Sequence, residues 1–298
     1  MGAWKGQTPR QKTTVSVGEH PFSCTVGVKP TSHHAPRMSS PQWAVLAEPN
    51  GRIHAFEIVD ENTKVKGLGV FNPVTSLSGV EMGDEVHIGQ KSLIRLPPRL
   101  PELNAGLVRR AQTISPKDAG FIVARLGLGP GDRVLEAGIG SGALSLHIAR
   151  ALGDSGHHVT VEPRPEHAAV AHVNLERARG SWPATPHHDH VEGCIEDVTE
   201  QLAALCTAYD GVALDLPDHP PAVAAVAPLM AVGARLVCYC PVTQQLERAW
   251  EACEAAGLTV EWAGELMERE WGRASKGGMR PVNGPFGHTA FLLVAQRR

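Results

Sequence analysis

The 298-residue chain contains no run of about 18 uncharged apolar residues, the length a helix needs to cross a bilayer, so no transmembrane helix is expected. None of its six cysteines forms a CxxC pair, so zinc-ribbon spacing is missing. So low a count in so long a chain suits a reducing compartment, and the expected location is the cytoplasm. Cys238 and Cys240 stand two apart in an apolar run; they share one face of any strand formed there and are expected as buried thiols. A strong charge of either sign is also lacking: 28 Lys+Arg against 31 Asp+Glu give a formal net charge of −3. Near-neutrality carries no global signature of nucleic-acid binding, but it leaves room for a local basic patch. There is no internal repeat of solenoid period. What the chain does have is 42% hydrophobic residues, enough to bury a full core and a small second domain.

Patterning divides the chain into three. Residues 1–41 hold Lys5, Arg10, Lys12, Lys29 and Arg37 against the single acid Glu19, without apolar periodicity. They read as a disordered extension, with a targeting peptide or a late start at Met38 as alternatives. Residues 42–105 carry short strand-like runs at 43–47, 53–58, 85–88 and 92–96, with Asn50-Gly51 as a hairpin turn, and predict a small β domain. A linking helix is expected over 103–110. From 106 to 298 helices and strands alternate. Helices are predicted over 116–126, capped by Ser115 with Pro116 in the first turn, and over 143–151, 166–178, 223–230 and 243–256. Strands are predicted over 134–137, 158–162, 209–214 and 235–239, and 289–295 reads as an edge strand. Such alternation builds an α/β fold, a parallel sheet covered on both faces.

Three segments carry chemistry. The first is the turn Glu136-Ala137-Gly138-Ile139-Gly140-Ser141-Gly142, between a strand and a helix. Glycines there permit positive φ and close backbone approach to a ligand at a helix N-terminus. Glu162, 24 residues after Gly138, ends the next strand, where a carboxylate holds the ribose hydroxyls of a nucleoside cofactor. A dinucleotide fits poorly, because Glu136 beside the glycines would repel a pyrophosphate and suit the sulfonium or ammonium of S-adenosylmethionine. The run ExGxGxG resembles motif I of Rossmann-like methyltransferases. The third segment, Tyr209 to Pro217, brings Asp215 to the C-terminal end of a strand, facing the same crevice. A carboxylate there accepts a hydrogen bond from an exocyclic amine and takes up or relays its proton.

Other polar clusters read more plainly. His219 is expected as a surface-loop histidine, with a second acid/base group as the alternative. His187-His188-Asp189-His190 lacks a helical i, i+4 arrangement and is expected as solvated loop, so no metal is expected. Residues 266–298 hold Arg269, Arg273, Lys276, Arg280, Arg297 and Arg298 against Glu268 and Glu270, six basic against two acidic. With Gly277-Gly278 in a mobile loop, this stretch suits a phosphate backbone, or else a merely solvated face. Trp271 either stacks on a base or belongs to the core.

Five segments together resemble the tRNA adenine-58 N1-methyltransferases of the bacterial and archaeal TrmI type. They are Gln112 to Ala119 (QTISPKDA), Val134 to Leu144, Val161 to Arg164, Val212 to Leu216, and Gly287 to Leu292 (GHTAFL). The resemblance runs from about residue 42 to the end. It implies a Rossmann-like class I methyltransferase sheet with a small N-terminal β domain, a homotetramer, and methyl transfer from S-adenosylmethionine to N1 of adenine 58, with 57 also open, in the tRNA T-loop. It also implies that Ser141, Gly142, Ala143 and Leu144 wrap the cofactor, Gln112 approaches it from the preceding segment, Glu162 holds its ribose, and Asp215 lies beside the methyl group and the adenine amine. The acid that contacts the cofactor adenine is Asp197 or its neighbour Glu196, and the family's loop glutamine is Gln244 or Gln245. Ser115 replaces a Tyr or Thr of the family, and Asp218-His219-Pro220 replaces a Trp-containing turn. The alternatives are a methyltransferase for another RNA, a protein or a small molecule, which would lack PKDA and GHTAFL, and a non-catalytic partner subunit, which would lose the glycine turn and the acid.

Overall fold

The computed structural model describes residues 43–110, 112–282 and 287–298. The expected extension 1–41, with Cys24 and Met38, lies outside them.

Strands β1 (Trp43–Ala47) and β2 (Ile53–Glu57) form the hairpin that Asn50-Gly51 signals; Gly51 takes φ +85° and Asn50 Oδ1 accepts from Arg52 N at 2.9 Å. A small ribbon of β3 (Thr63–Val65) and β4 (Gly69–Phe71) comes next, then the short helix α1 (Pro73–Ser76), β5 (Glu85–Ile88) and β6 (Lys91–Leu96). The main sheet here runs β2-β1-β6-β5. Alternation along β1 places its residues on both sides. Ala44 and Leu46 pack with Phe56, Val86, Ile88 and Leu93. Val45 packs with Leu103, Ile139, Leu146, Leu175 and Trp182. The small sheet therefore shares a core with the later part of the chain, and the described residues on either side of position 106 belong to one compact unit. The linking helix α2 (Leu100–Ala105) is shorter and earlier than its sequence expectation.

The second sheet has seven strands. In chain order come α3 (Pro116–Leu126), β7 (Arg133–Ala137), α4 (Ala143–Leu152), β8 (His157–Glu162), α5 (Pro165–Ser181), β9 (His187–Glu192), α6 (Thr199–Leu205), β10 (Tyr209–Leu214), α7 (Pro220–Val226), β11 (Met230–Cys240), α8 (Thr243–Ala255), β12 (Thr259–Glu265), β13 (Trp271–Arg273), β14 (Met279–Pro281) and β15 (Phe291–Gln296). The sheet order is β12-β15-β11-β10-β7-β8-β9. β11 to β9 are parallel, and β15 and β12 add antiparallel at one side. Helix α3 starts and stops where its punctuation requires: Ser115 Oγ accepts from Asp118 N at 3.3 Å, Pro116 opens the first turn, and Gly127 closes it in the left-handed region. Leu135, Val161, Leu214, Cys238 and Cys240 face one buried layer, so the two cysteines share a face as expected. Val134, Ala213, Val237 and Val294 face the other, under α3 and α4.

Five expectations give way. The histidine run is the edge strand β9, not a loop, because residues 187–192 pair with 157–162 along their length. The terminal strand is interior rather than an edge; β12, polar and alternating enough to escape notice, covers it. The stretch 273–280 is not an open loop: it turns the β13–β14 hairpin, with Ala274 N bonded to Gly278 O at 3.0 Å. His219 is 1% exposed, because Pro217 and Pro220 turn the chain inward at the start of α7. The helix expected over 223–230 begins at Pro220 and ends in a 3-10 turn, Ala227–Leu229.

Candidate active site

Parallel strands bring their C-terminal ends to one rim, and here backbone hydrogen bonds lace three of those ends together. Asp215 N, just past β10, donates to Ala137 O of β7 at 2.9 Å; Gly138 N donates to Val161 O of β8 at 3.0 Å. Gly138 has φ +83°, and a Cβ on it would lie 2.0 Å from Asp215 O. Glycine is needed there because the turn after β7 runs directly against the backbone that carries Asp215. Gly140, at φ +54°, has only Gly138 O, at 4.0 Å, beside the place where its Cβ would be, so the rim is open there. Gly142 packs against Ala171 of α5, which sets how closely the two helices approach. Helix α4 opens at Gly142 without a side-chain cap and without an acid in its first turn. Its N-terminal partial charge thus stays uncompensated by side chains. The side chains of Ser141, Ala143 and Leu144 are buried, so this turn offers a ligand its backbone.

Three carboxylates surround the rim, in different states. Glu162, with a fully buried side chain, is held by Arg164: Nε reaches Oε1 at 2.6 Å, Nη2 reaches Oε2 at 3.1 Å, and the Arg164 amide adds a bond to Oε1 at 3.2 Å. Glu136 points inward instead, on the same side of β7 as Val134. Its Oε2 accepts from Ser145 Oγ at 2.8 Å and from His158 Nε2 at 2.9 Å. Glu136 therefore reaches the rim as a buried negative charge, not as a free oxygen. Asp215 feels that charge. Burial first, then Glu136, with a smaller push from Glu162 and against the opposing pull of Arg164, raises its pKa from 3.8 to about 7. That places an acid/base group beside the glycine turn with its pKa near neutrality.

The segment before α3 is anchored to the same turn. Arg110 N donates to Ser141 Oγ at 3.2 Å, and the buried Asn174 of α5 bonds Val108 on both backbone atoms and Ser141 O at 2.9 Å. Gln112, exposed, lies two residues beyond that anchor. Asn174 is not evident from the sequence, since one amide inside a helix carries no pattern. Sequence patterning does not single out Tyr239 either. It is buried at the end of β11, and its phenol pKa is raised by burial and by Asp118 and Asp215, so it lies near both acids. The PKDA and GHTAFL segments meet directly: Lys117 Nζ bonds Asp118 Oδ1 at 2.6 Å and Thr289 Oγ1 at 2.7 Å, 172 positions away. His288 bonds Glu265 Oε2 at 2.7 Å and Pro241 O at 3.1 Å.

Other expected residues lie further off. Glu196 and Asp197 are both exposed in the loop after Gly193. Gln245 is tied by Nε2 to Pro217 O at 3.0 Å, and Gln244 is exposed. His219 lies with Nδ1 3.9 Å from Cys240 Sγ, and burial lowers its pKa, so it is a neutral interior group. Of the basic stretch, Arg297 is spent on the carbonyls of Ala227 and Pro228, at 3.2 and 3.0 Å, and on Met230 O. Arg273, Lys276 and Arg280 are exposed on the hairpin with Trp271, which excludes a core role for that tryptophan.

Residues 93–277 match the family described as "tRNA methyltransferase complex GCD14 subunit". The chain is 38% identical over 212 residues to the tRNA (adenine(58)-N(1))-methyltransferase TrmI of Thermus thermophilus, covering 71% of this chain and 79% of that protein. It is 31% identical over 267 residues to the tRNA (adenine(57)-N(1)/adenine(58)-N(1))-methyltransferase TrmI of Methanocaldococcus jannaschii, covering 80% and 93%. Among solved structures, a SAM-dependent O-methyltransferase from Thermotoga maritima superposes with a TM-score of 0.70 at 22% identity, over 87% of this chain and 94% of that one. The tRNA (m1A58) methyltransferase TrmI of Aquifex aeolicus superposes with a TM-score of 0.65 at 20% identity, over 88% and 98%. At those identities the two structures speak for the fold, which is Rossmann-like and of the methyltransferase class.

Proposed function

The chain belongs to the tRNA adenine-N1-methyltransferase family of TrmI and the GCD14 subunit, and on that premise we propose that it methylates N1 of adenine 58 in the T-loop of tRNA, with S-adenosylmethionine as donor. Position 57 is a second target to examine, because the Methanocaldococcus relative is named for both. The observation that carries the reading is the convergence on one rim of the open glycine turn, the Glu162 carboxylate and Asp215 with its raised pKa.

The donor set fits the cofactor. The backbone from Gly138 to Leu144 lies at an uncapped helix N-terminus. Arg164 occupies three of the about four lone-pair sites of Glu162, so holding both ribose hydroxyls requires the half-exposed Arg164 guanidinium to give up its two. Asp197 or Glu196 would meet the cofactor adenine, and Gln112 would approach from the segment anchored at Arg110. The bound cofactor supplies an electrophilic methyl group on a sulfonium. Asp215 accepts a hydrogen bond from the exocyclic amine of the target adenine, which orients the base and raises electron density at N1. With a pKa near neutrality it also takes up or relays the proton released on methylation. Holding N1 in line with the methyl group is the remaining task, and the rigid lacing of the three strand ends serves it.

The target base must leave the folded T-loop to react. Arg273, Lys276 and Arg280, with the exposed Trp271, suit a clamp on the RNA backbone and a stacking platform. The family reading carries with it a cytoplasmic homotetramer; the exposed Met267, Met279 and Val282 on and beside the same hairpin leave apolar surface for a neighbouring copy. Among the described residues no helix is long and apolar enough to cross a membrane.

The test is to incubate the protein with isotopically labelled S-adenosylmethionine and unmodified tRNA, then map the labelled nucleotide. The expected product is 1-methyladenosine in the T-loop. Label on another nucleotide, or on no nucleotide, overturns the proposal.

A further inference from the structure

The opposite ends of β8 and β9 gather a second set of polar side chains. In the parallel register His157 stands beside His187, and Val159 beside Asp189. His187 and Asp189, two apart on one strand, share a face with His157 on the next. Asp189 Oδ2 lies 2.7 Å from His157 Nε2 and 3.1 Å from His187 Nε2. One ligand atom from each of the three residues falls within 4.8 Å of the other two.

We propose that His157, His187 and Asp189 bind one divalent transition-metal ion of the zinc class, through two imidazole Nε2 atoms and a carboxylate oxygen. Bonds of about 2.0–2.1 Å in a tetrahedral site separate ligand atoms by roughly 3.3 Å. Present N···O spacings of 2.7 and 3.1 Å reach that value by side-chain movement of well under an ångström. Nitrogen and carboxylate donors in this mixture suit zinc-like ions and not calcium or magnesium, which prefer all-oxygen shells. The surroundings also match. Coordination needs the Nε2 lone pair of His157, so its ring proton sits on Nδ1, and Cys206 Sγ lies 3.2 Å from that atom to receive it. The His187 side chain is 70% exposed, which leaves a coordination position open to water. The polypeptide enters β8 from the C-terminus of α4, the end of a helix whose partial charge favours cations.

The site stands apart from methyl transfer. His157 and Glu162 lie five residues apart on one strand, roughly 17 Å at 3.3 Å per residue. A bound ion would pin the outermost strand of the sheet to its neighbour, adding to the backbone pairing and to the contacts of Thr160 Oγ1 with His188 and His190, each at 3.0 Å.

The test is zinc titration of the full chain, first stripped with chelator, monitored by calorimetry and by thermal unfolding. Wild type is expected to take up one high-affinity equivalent, and its melting temperature to rise by roughly 5 °C at a hundredfold excess over Kd. His187→Ala and Asp189→Asn are expected to lose that equivalent and the shift while melting like wild type in chelator. His87→Asn, which removes an exposed histidine on β5, is expected to keep both. No high-affinity equivalent in wild type, or an equivalent that survives His187→Ala, overturns the proposal.

Discussion

The two ends of the β7–β8–β9 strands are built from similar residue types and differ in what surrounds them. At the C-terminal rim, Glu162 and Asp215 face a glycine turn and the start of α4, and burial with like charge raises the Asp215 pKa. At the opposite end, His157, His187 and Asp189 sit where α4 and α5 deliver their C-termini, half open to solvent, with acid and imidazole directly paired. Helix polarity therefore sorts the chemistry of a parallel sheet. One end favours electron-rich ligands and backbone recognition, the other favours cations.

Asp215→Ala breaks the C-terminal rim most completely. Turnover is expected to fall by about 10²–10⁴-fold, with cofactor affinity retained and zinc uptake untouched. Single-turnover methylation within a few-fold of wild type would remove Asp215 from the mechanism. The pH profile sharpens the same point. If the carboxylate form is required, kcat/KM rises about tenfold per pH unit up to a pKa near 7 and then levels, and Asp215→Asn removes that limb. Stability runs the other way. A carboxyl whose folded pKa of about 7 exceeds its ordinary 3.8 contributes stability that is complete below about pH 4 and lost as pH rises through 7.

Next in size is a pair of glycine substitutions. Gly138→Ala forces a Cβ into Asp215 O at positive φ and is expected to cost about 3–5 kcal/mol in urea unfolding. Gly140→Ala meets open space and pays only for its left-handed backbone, about 1–2 kcal/mol. Equal losses would refute the close-approach account. An effect on binding, smaller than those of Asp215→Ala and Gly138→Ala, is expected for Glu162→Gln. Losing charge-assisted bonds to ribose weakens S-adenosylhomocysteine binding by roughly 10–100-fold, read by calorimetry. It also moves the Asp215 limb to lower pH, because one repelling charge is gone. A Kd within twofold of wild type would remove Glu162 from cofactor binding.

Much of the fold and the rim is legible because punctuation and periodicity agree. Ser115, Pro116 and Gly127 bound α3 at both ends, and the apolar runs at β7 and β10 locate the buried parallel strands and hence the rim. What escapes the sequence has a shared cause: pairing partners distant along the chain. β9 is hidden because histidines in a Pro-flanked stretch resemble solvated loop, and only its register with β8 makes it a strand. β15 reads as an edge because nothing in the polar pattern of β12 announces the strand that covers it. The direction of Glu136 depends on where Ser145 and His158 sit, and the burial of His219 on how two prolines turn the chain. Thr289 meeting Lys117 explains in physical terms why two short motifs so far apart occur together.

The contact of Gly138 with Asp215 runs through backbone, and this has a consequence for descent. A duplicated copy released from catalysis could change the Asp215 side chain in a single step, at little structural cost. Replacing Gly138 would require the two strand ends to part first. Decay of such a copy should therefore begin at the acid and reach the glycine late. A relative that has lost the acid but kept the glycine would be an early stage of that drift, and one that has lost both would have rebuilt this end of its sheet.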